Sequence, residues 1–129
     1  MSGLFFIMAG KFTLGKKERL KSRKLIDELF NKGSSFSVPP LRVIYLFKEA
    51  GLQMGAGAGT RHFKKAVDRN RIKRLIRETY RLQKQQLEEK LQQDNKGLIL
   101  FFTCIAKEIP DYQLLAASMK KAIQKLSLL

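Results

Sequence analysis

The chain contains only one cysteine and one histidine among its 129 residues, and it contains no tryptophan. A single cysteine cannot form an internal disulfide, which is typical of proteins that work in a reducing compartment. One cysteine and one histidine also fall short of the ligands that a zinc site needs. Cys104 lies in the apolar run GLILFFTCIA, so we interpret it as a small buried hydrophobic residue. We therefore predict no metal site on the protein.

Long apolar segments are scarce as well. The N-terminal run from Leu4 to Ala9 is far shorter than the roughly 20 residues that span a bilayer. It also lacks the basic start of a signal peptide. We interpret residues 1–10 as a flexible arm, and residues 11–129 as a single domain of a cytoplasmic protein.

Acidic residues are few compared with basic ones. The chain has 11 Asp and Glu against 26 Lys and Arg, which gives a net charge of +15 and a pI near 10.3. Such a surface repels itself and associates with polyanions, of which nucleic acid is the leading candidate and an anionic membrane the second. No nucleophile–base pair and no paired carboxylates stand out, so we predict no catalytic residue.

Positive charge is concentrated in the middle of the chain. Ten basic residues lie between Arg61 and Lys84 against only Asp68 and Glu78, so 24 residues carry +8 of the total of +15. Salt bridges between neighbouring turns cannot account for so unbalanced a stretch. Bound phosphates would offset the repulsion, and arginine suits phosphate because it can grip two oxygens at once.

Local patterns predict an α+β fold, in which a small sheet carries helices. A short helix begins after Ser22 as N-cap and ends at Gly33 in the left-handed conformation. Strands are predicted at LRVIYLF and LILFFTCIA, and at the glycine-rich LQMGAGAGT, for which a mobile loop is the alternative. A last helix begins after Asp111. Its predicted core stripe consists of Leu114, Leu115, Met119, Ala122, Ile123 and Leu126.

One long helix is predicted from Asp68, as N-cap, to Gln93, because this segment contains no glycine and no proline. At 100° per residue its outward line consists of Asn70, Lys73, Arg74, Arg77, Arg81 and Lys84, flanked by Arg69 and Arg71. Its apolar side consists of Ile72, Leu75, Ile76, Thr79 and Leu82. The helix can therefore pack on a sheet while it presents a cationic surface.

The segment FKKAVDRNRIKRLIRETYR resembles the signature of the bacterial ribonuclease P protein component. The matched residues are Arg69, Asn70, Arg71, Ile72, Lys73, Arg74, Arg77 and Glu78. The upstream segment LGKKERLKSRKLIDELFNKG is similar to the family's opening segment, so the resemblance covers about residues 12–128. Eight matches within ten consecutive positions are highly specific.

The resemblance implies one four-stranded sheet with three helices, in the order αβββαβα, and a left-handed βαβ crossover around the long helix. It implies a non-catalytic protein subunit of a ribonucleoprotein that removes the 5′ leader of precursor tRNA, with chemistry carried by the RNA subunit and its Mg²⁺. The implied partners are the catalytic RNA and precursor tRNA, with no membrane and no obligate protein partner. The alternative interpretation is a ribosomal or other structural RNA-binding protein.

The resemblance also implies two sets of binding residues. The catalytic RNA is expected at Arg61, Lys64, Lys65, Arg69, Asn70, Arg71, Lys73, Arg74, Arg77 and Arg81. The single-stranded leader is expected in a groove between the first helix and the sheet, at Ile26, Phe30 and Tyr45. Phe30 and Tyr45 are the aromatic candidates, with core packing as the alternative for each. The chain departs from the family at Ile26, where phenylalanine is frequent, and in GAGAGTRHF, which is unusually rich in glycine.

Overall fold

The computed structural model describes residues 18–129, in which four helices pack on one four-stranded sheet. The order is α1 (Arg23–Lys32), β1 (Ser34–Val38), β2 (Leu41–Lys48), β3 (Leu52–Ala58), α2 (Ala66–Gln83), α3 (Gln85–Asp94), β4 (Gly97–Cys104) and α4 (Tyr112–Ser127). The α+β class is therefore confirmed. The predicted arm, residues 1–10, lies outside the described residues.

The strands lie in the order β1-β2-β4-β3. The pairs β1–β2 and β2–β4 are antiparallel, whereas β3 and β4 are parallel and are connected by α2 and α3. The four strands and the crossover implied by the resemblance are thus present, and the left hand of that crossover stays a prediction. The helix count differs by one, because the predicted long helix is two helices separated at Lys84.

The first helix begins as predicted and ends for a different reason. The Ser22 hydroxyl accepts a hydrogen bond from the Leu25 N–H at 3.4 Å. Gly33 has φ −71°, so the left-handed conformation predicted there is wrong. A Cβ at Gly33 would lie 2.4 Å from the carbonyl oxygen of Leu29 and 2.9 Å from that of Tyr45. Glycine is needed here because the backbones of α1 and β2 approach closely.

The basic helix α2 begins three residues earlier than predicted. Lys65 is the N-cap and makes no side-chain capping bond, whereas Asp68 lies in the first turn. A carboxylate there still favours the helix, because the N-terminal end of a helix carries partial positive charge. The C-terminal end of α3 is Asn95, in the left-handed conformation with φ 55°.

The two faces of the sheet carry different cores, because neighbouring side chains on a strand point in opposite directions. The larger core lies under α2, α3 and α4 and includes Leu41, Val43, Leu98, Leu100 and Phe102. The smaller core lies under α1 and consists of Leu20, Leu29, Ile44 and Ile99, with Ile26 and Phe101 packed against it. The face under α1 forms the floor of the candidate site.

Two leucines of the predicted apolar stripes are exposed. Leu114 is 52% exposed and Leu82 is 43% exposed. At 100° per residue, Leu82 lies about 100° and Leu114 about 120° from the centre of the side that its helix buries. Ser118 is buried on the inward side of α4 instead, and its hydroxyl donates a hydrogen bond to the Pro39 carbonyl at 2.8 Å. The Asp111 cap is confirmed, since its carboxylate accepts from the Gln113 N–H at 2.6 Å.

Candidate nucleic-acid interface

Most of the residues predicted to bind the catalytic RNA are exposed on α2 and on the loop before it. The exposed ones are Arg61, Lys64, Lys65, Asn70, Arg71, Arg74 and Arg77, whereas Arg69, Lys73 and Arg81 are half-buried. We call Asn70, Arg71, Arg74 and Arg77, the exposed members on α2, the basic ridge. The opposite side of α2 packs into the larger core through Ile72, Ile76 and Tyr80.

Arg69 organises the loop that precedes α2. One guanidinium nitrogen donates to the carbonyl oxygens of Phe63 at 2.8 Å and Lys64 at 2.7 Å. Phe63 is itself only 4% exposed, so it fixes the loop to the larger core. The guanidinium has other N–H donors that these two hydrogen bonds do not use. Arg69 therefore holds Arg61, Lys64 and Lys65 next to the basic ridge.

The last two basic positions of the predicted outward line have acidic partners. Arg81 pairs with Glu78 at 2.5 Å. Lys84 is only 1% exposed, and its ammonium lies 2.7 Å from both carboxylate oxygens of Glu18 and 3.3 Å from Glu88. The outward placement of Lys84 is therefore wrong, because the segment before α1 covers this end of the helix. Burial, with the Glu88 and Glu18 carboxylates nearby, also raises the pKa of Tyr80.

A groove of about 270 Å³ lies between α1 and the β3 side of the sheet. We call it the α1 groove. Its lining residues are Arg19, Leu20, Lys21, Ile26, Met54, Gly55, Ala56, Arg77 and Phe101. Three of these residues are cationic and none is acidic, so the groove favours an anion. Arg77 belongs both to the basic ridge and to the α1 groove, which makes the two surfaces continuous.

The aromatic floor of the α1 groove is Phe101. Its ring forms an edge contact with Phe30, with centroids 5.3 Å apart and planes at 61°. Phe30 is 52% exposed, whereas Ile26 is half-buried and lines the groove directly. The structure thus brings Ile26 and Phe30 to the same side of the sheet. Sequence reasoning missed Phe101, although the alternating glycines of β3 indicate a large neighbouring side chain.

Tyr45 lies on the opposite face of the sheet from the α1 groove. Its register partner is Leu100 in the larger core, whereas the adjacent Ile44 pairs with Phe101 under α1. The Tyr45 ring packs between Phe36 and Phe47, with centroid distances of 5.8 and 6.0 Å. The structure therefore does not bring Tyr45 together with Ile26 and Phe30. Both sides of β2 are apolar, so periodicity alone could not decide which face α1 covers.

Within residues 18–129, no group of side chains indicates a metal site and no helix indicates a membrane span. No three His, Cys, Asp or Glu side chains in this part of the chain come together as a possible metal site. None of its helices is long and apolar enough to cross a membrane. The Cys104 thiol is buried, and this desolvation raises its pKa above the ordinary value. A raised pKa disfavours the reactive thiolate.

The sequence model of one protein family, ribonuclease P, matches residues 14–127. The chain belongs to this family. The ribonuclease P protein component of Porphyromonas gingivalis is 36% identical over 120 residues, which cover 90% of this chain and 88% of that protein. The component of Dictyoglomus thermophilum is 35% identical over 83 residues, or 64% of this chain and 69% of that protein.

Solved structures of Staphylococcus aureus RNase P protein share the fold. One has a TM-score of 0.61 and 19% identity, and covers 87% of this chain and 96% of its own. A mutant of that protein, described as defective in mRNA degradation activity, has a TM-score of 0.62 and 21% identity, with 97% of both chains covered. Membership of the ribonuclease P family implies association with the RNase P RNA, which favours this interpretation over a ribosomal protein.

Proposed function

We propose that this ribonuclease P component binds the catalytic RNA through the basic ridge and the leader of precursor tRNA through the α1 groove. It thereby assists the RNA-catalysed removal of the leader in the cytoplasm. The observation that carries this proposal is the position of Arg77, which lines the α1 groove at the edge of the basic ridge. Because Arg77 belongs to both surfaces, the catalytic RNA and the leader would bind next to each other.

The basic ridge suits a folded RNA. Arg71, Arg74 and Arg77 are exposed and project from a helix whose other side is fixed in the core. Arginine donates paired hydrogen bonds to phosphate, and a helix keeps successive guanidinium groups at fixed spacing. The loop that Arg69 holds adds Arg61, Lys64 and Lys65 to the same positive field.

The α1 groove suits a single strand. Surfaces that bind single-stranded nucleic acid combine cations along the backbone path with aromatic rings on which bases stack. Arg19, Lys21 and Arg77 supply the cations, and Phe101 with Phe30 supplies the rings. The leader of a precursor tRNA is such a strand, and a mature tRNA lacks it.

The chemistry of hydrolysis belongs to the RNA subunit in this proposal. Mg²⁺ held by that RNA supplies the activated water and stabilises charge in the transition state. The protein's own part is electrostatic and positional: its charge of +15 reduces the repulsion between two polyanions and holds the substrate in register.

Reconstitution with a bacterial RNase P RNA tests this function. We expect the complex to cleave the leader from precursor tRNA, and the protein alone to cleave nothing. If about six phosphates are neutralised, log K for the RNase P RNA should fall by roughly 4 per decade of salt. Arg77→Ala should weaken binding of both the RNase P RNA and the leader. Lys90→Ala, which removes a cation on α3 outside both surfaces, should change neither. A salt slope near zero, or cleavage by RNA-free protein, contradicts the proposal.

A further inference from the structure

The ring of Phe101 lies directly on the backbone of β3. A Cβ at Gly55 would be 2.8 Å from Cδ2 of this ring, and a Cβ at Gly57 would be 2.8 Å from its Cε1. Both distances are shorter than real side chains allow, so the ring occupies space that any other residue at these positions would fill. Neither glycine has a positive φ. Space, and not backbone conformation, therefore explains the glycines.

The strand register explains why the Phe101 ring lies over these two glycines. Gly55 is the cross-strand partner of Phe101, and Gly57 is the partner of the next residue on the same face, Thr103. Alternate residues on a strand share a face, so both glycines lie on the side that α1 covers. The ring rests between them, along the direction of β3, at the floor of the α1 groove.

Phe101 differs from its neighbours under α1 in its exposure. Ile44 and Ile99 are 9% and 4% exposed, whereas Phe101 is half-buried and open to the α1 groove. Its groove neighbours include Arg19, Lys21 and Arg77. A low-lying ring beside cations leaves room above it for a base whose phosphates meet the cations.

We propose that Phe101 is the base-stacking surface of the α1 groove, and that Gly55 and Gly57 are the positioning residues that keep its ring against the sheet. An unpaired base of the leader stacks on Phe101. This inference rests on the proposed leader-binding function, and it assigns that binding to the sheet rather than to α1 alone.

The test measures affinity for precursor tRNA with a short unpaired leader and for mature tRNA, using the complex with a bacterial RNase P RNA. Phe101→Leu keeps an apolar side chain and removes the ring, so affinity for the precursor should fall about 5- to 150-fold. Affinity for mature tRNA should not change. Phe101→Tyr keeps the ring, so its affinity for the precursor should lie close to that of the wild type. Phe102→Leu is the matched control, because Phe102 is fully buried on the other face.

Gly57→Ala provides a second variant that leaves Phe101 in place. The added methyl group meets only the Phe101 ring, so it should lift the ring and reduce precursor affinity without changing mature tRNA affinity. Normal precursor affinity in stably folded Phe101→Leu or Gly57→Ala overturns the proposal. If the wild-type complex itself does not prefer precursor to mature tRNA, the leader-binding function fails, and the inference fails with it.

Discussion

The Lys84 ammonium donates to both carboxylate oxygens of Glu18 at 2.7 Å, which joins the segment before α1 to the junction of α2 and α3. Immediately after Glu18 the chain runs along β3, where the Leu20 N–H donates to the Met54 carbonyl at 2.7 Å. Arg19 forms a parallel bridge with Met54 at the same place. The buried ion pair thus fixes the segment that carries two cations of the α1 groove, Arg19 and Lys21.

Replacing Lys84 should destabilise the fold and loosen this segment. Removing one partner of a buried ion pair costs about 3–5 kcal/mol, because the other charge stays buried. Glu18 and Glu88 are about a third exposed, so we expect about 2–3 kcal/mol for Lys84→Ala. Urea unfolding checks this as a lower midpoint at unchanged slope.

The matched control for that measurement is Lys90→Ala. Lys90 pairs with Asp94 on the surface of α3, and such pairs contribute about 0–1 kcal/mol. Equal midpoints for the Lys84 and Lys90 variants would show that the buried pair does not stabilise the fold.

Local sequence patterns predicted most of the exposed side of α2 but not the contacts between distant segments. Charge and helical spacing placed Asn70, Arg74 and Arg77 on the outward side of α2, where the structure exposes them. The same spacing placed Lys84 beside Arg77, because periodicity carries no information about Glu18, which is 66 residues away. The strand predicted at the glycine-rich segment is confirmed as β3, but its sequence could not explain the glycines, since the Phe101 ring that requires them comes from β4. The wrong placement of Lys84 and the unexplained glycines share one cause, namely that a partner from a distant segment decides what a local pattern means.

Tyr45 should matter for stability and not for the leader. Its ring packs between Phe36 and Phe47 at the margin of the larger core, on the face opposite the α1 groove. Tyr45→Ala should therefore lower the free energy of unfolding by about 1–3 kcal/mol. At a temperature where the variant is folded, its preference for precursor over mature tRNA should equal that of the wild type. A selective loss of precursor affinity would contradict the structure.

The pair between Glu28 and Lys48, which connects α1 to β2, should make stability depend on acidic pH. The hydrogen bond from Lys48 lowers the pKa of the Glu28 carboxyl below its ordinary value of 4.5. The folded state therefore binds this proton less readily than the unfolded chain. The stabilisation is fully present above the ordinary pKa and is lost as pH falls through the lowered one.

Thermal unfolding of the wild type and Glu28→Gln checks this pH dependence. The wild type should have the higher Tm near neutral pH, and the difference should shrink as the pH falls below 4.5. Lys48→Met should remove the same pH-dependent difference. If the Tm difference between wild type and Glu28→Gln stayed constant down to acidic pH, the pair would not be the source of a pH-dependent stability.

Arg71 and Arg69 should affect RNA binding in different ways, although both belong to the same motif. Arg71 is exposed, so Arg71→Ala removes a charged donor and leaves the fold intact. Affinity for the RNase P RNA should fall by about 1.5–3 kcal/mol if the contact is well formed, with an unchanged Tm. Arg69→Ala should also lower affinity, but it frees the Phe63 and Lys64 carbonyls as well and loosens the loop before α2.

Amide hydrogen exchange in the loop of residues 61–65 distinguishes the two variants. Protection there should fall in Arg69→Ala and stay at the wild-type level in Arg71→Ala. Arg69→Lys should keep the charge but lose protection, because the lysine nitrogen lies one bond closer to the backbone than the guanidinium nitrogen that makes both hydrogen bonds. Its RNA affinity should then lie between that of the wild type and that of Arg69→Ala. Wild-type loop protection in Arg69→Ala would show that the two hydrogen bonds to the loop carbonyls do not hold this part of the interface.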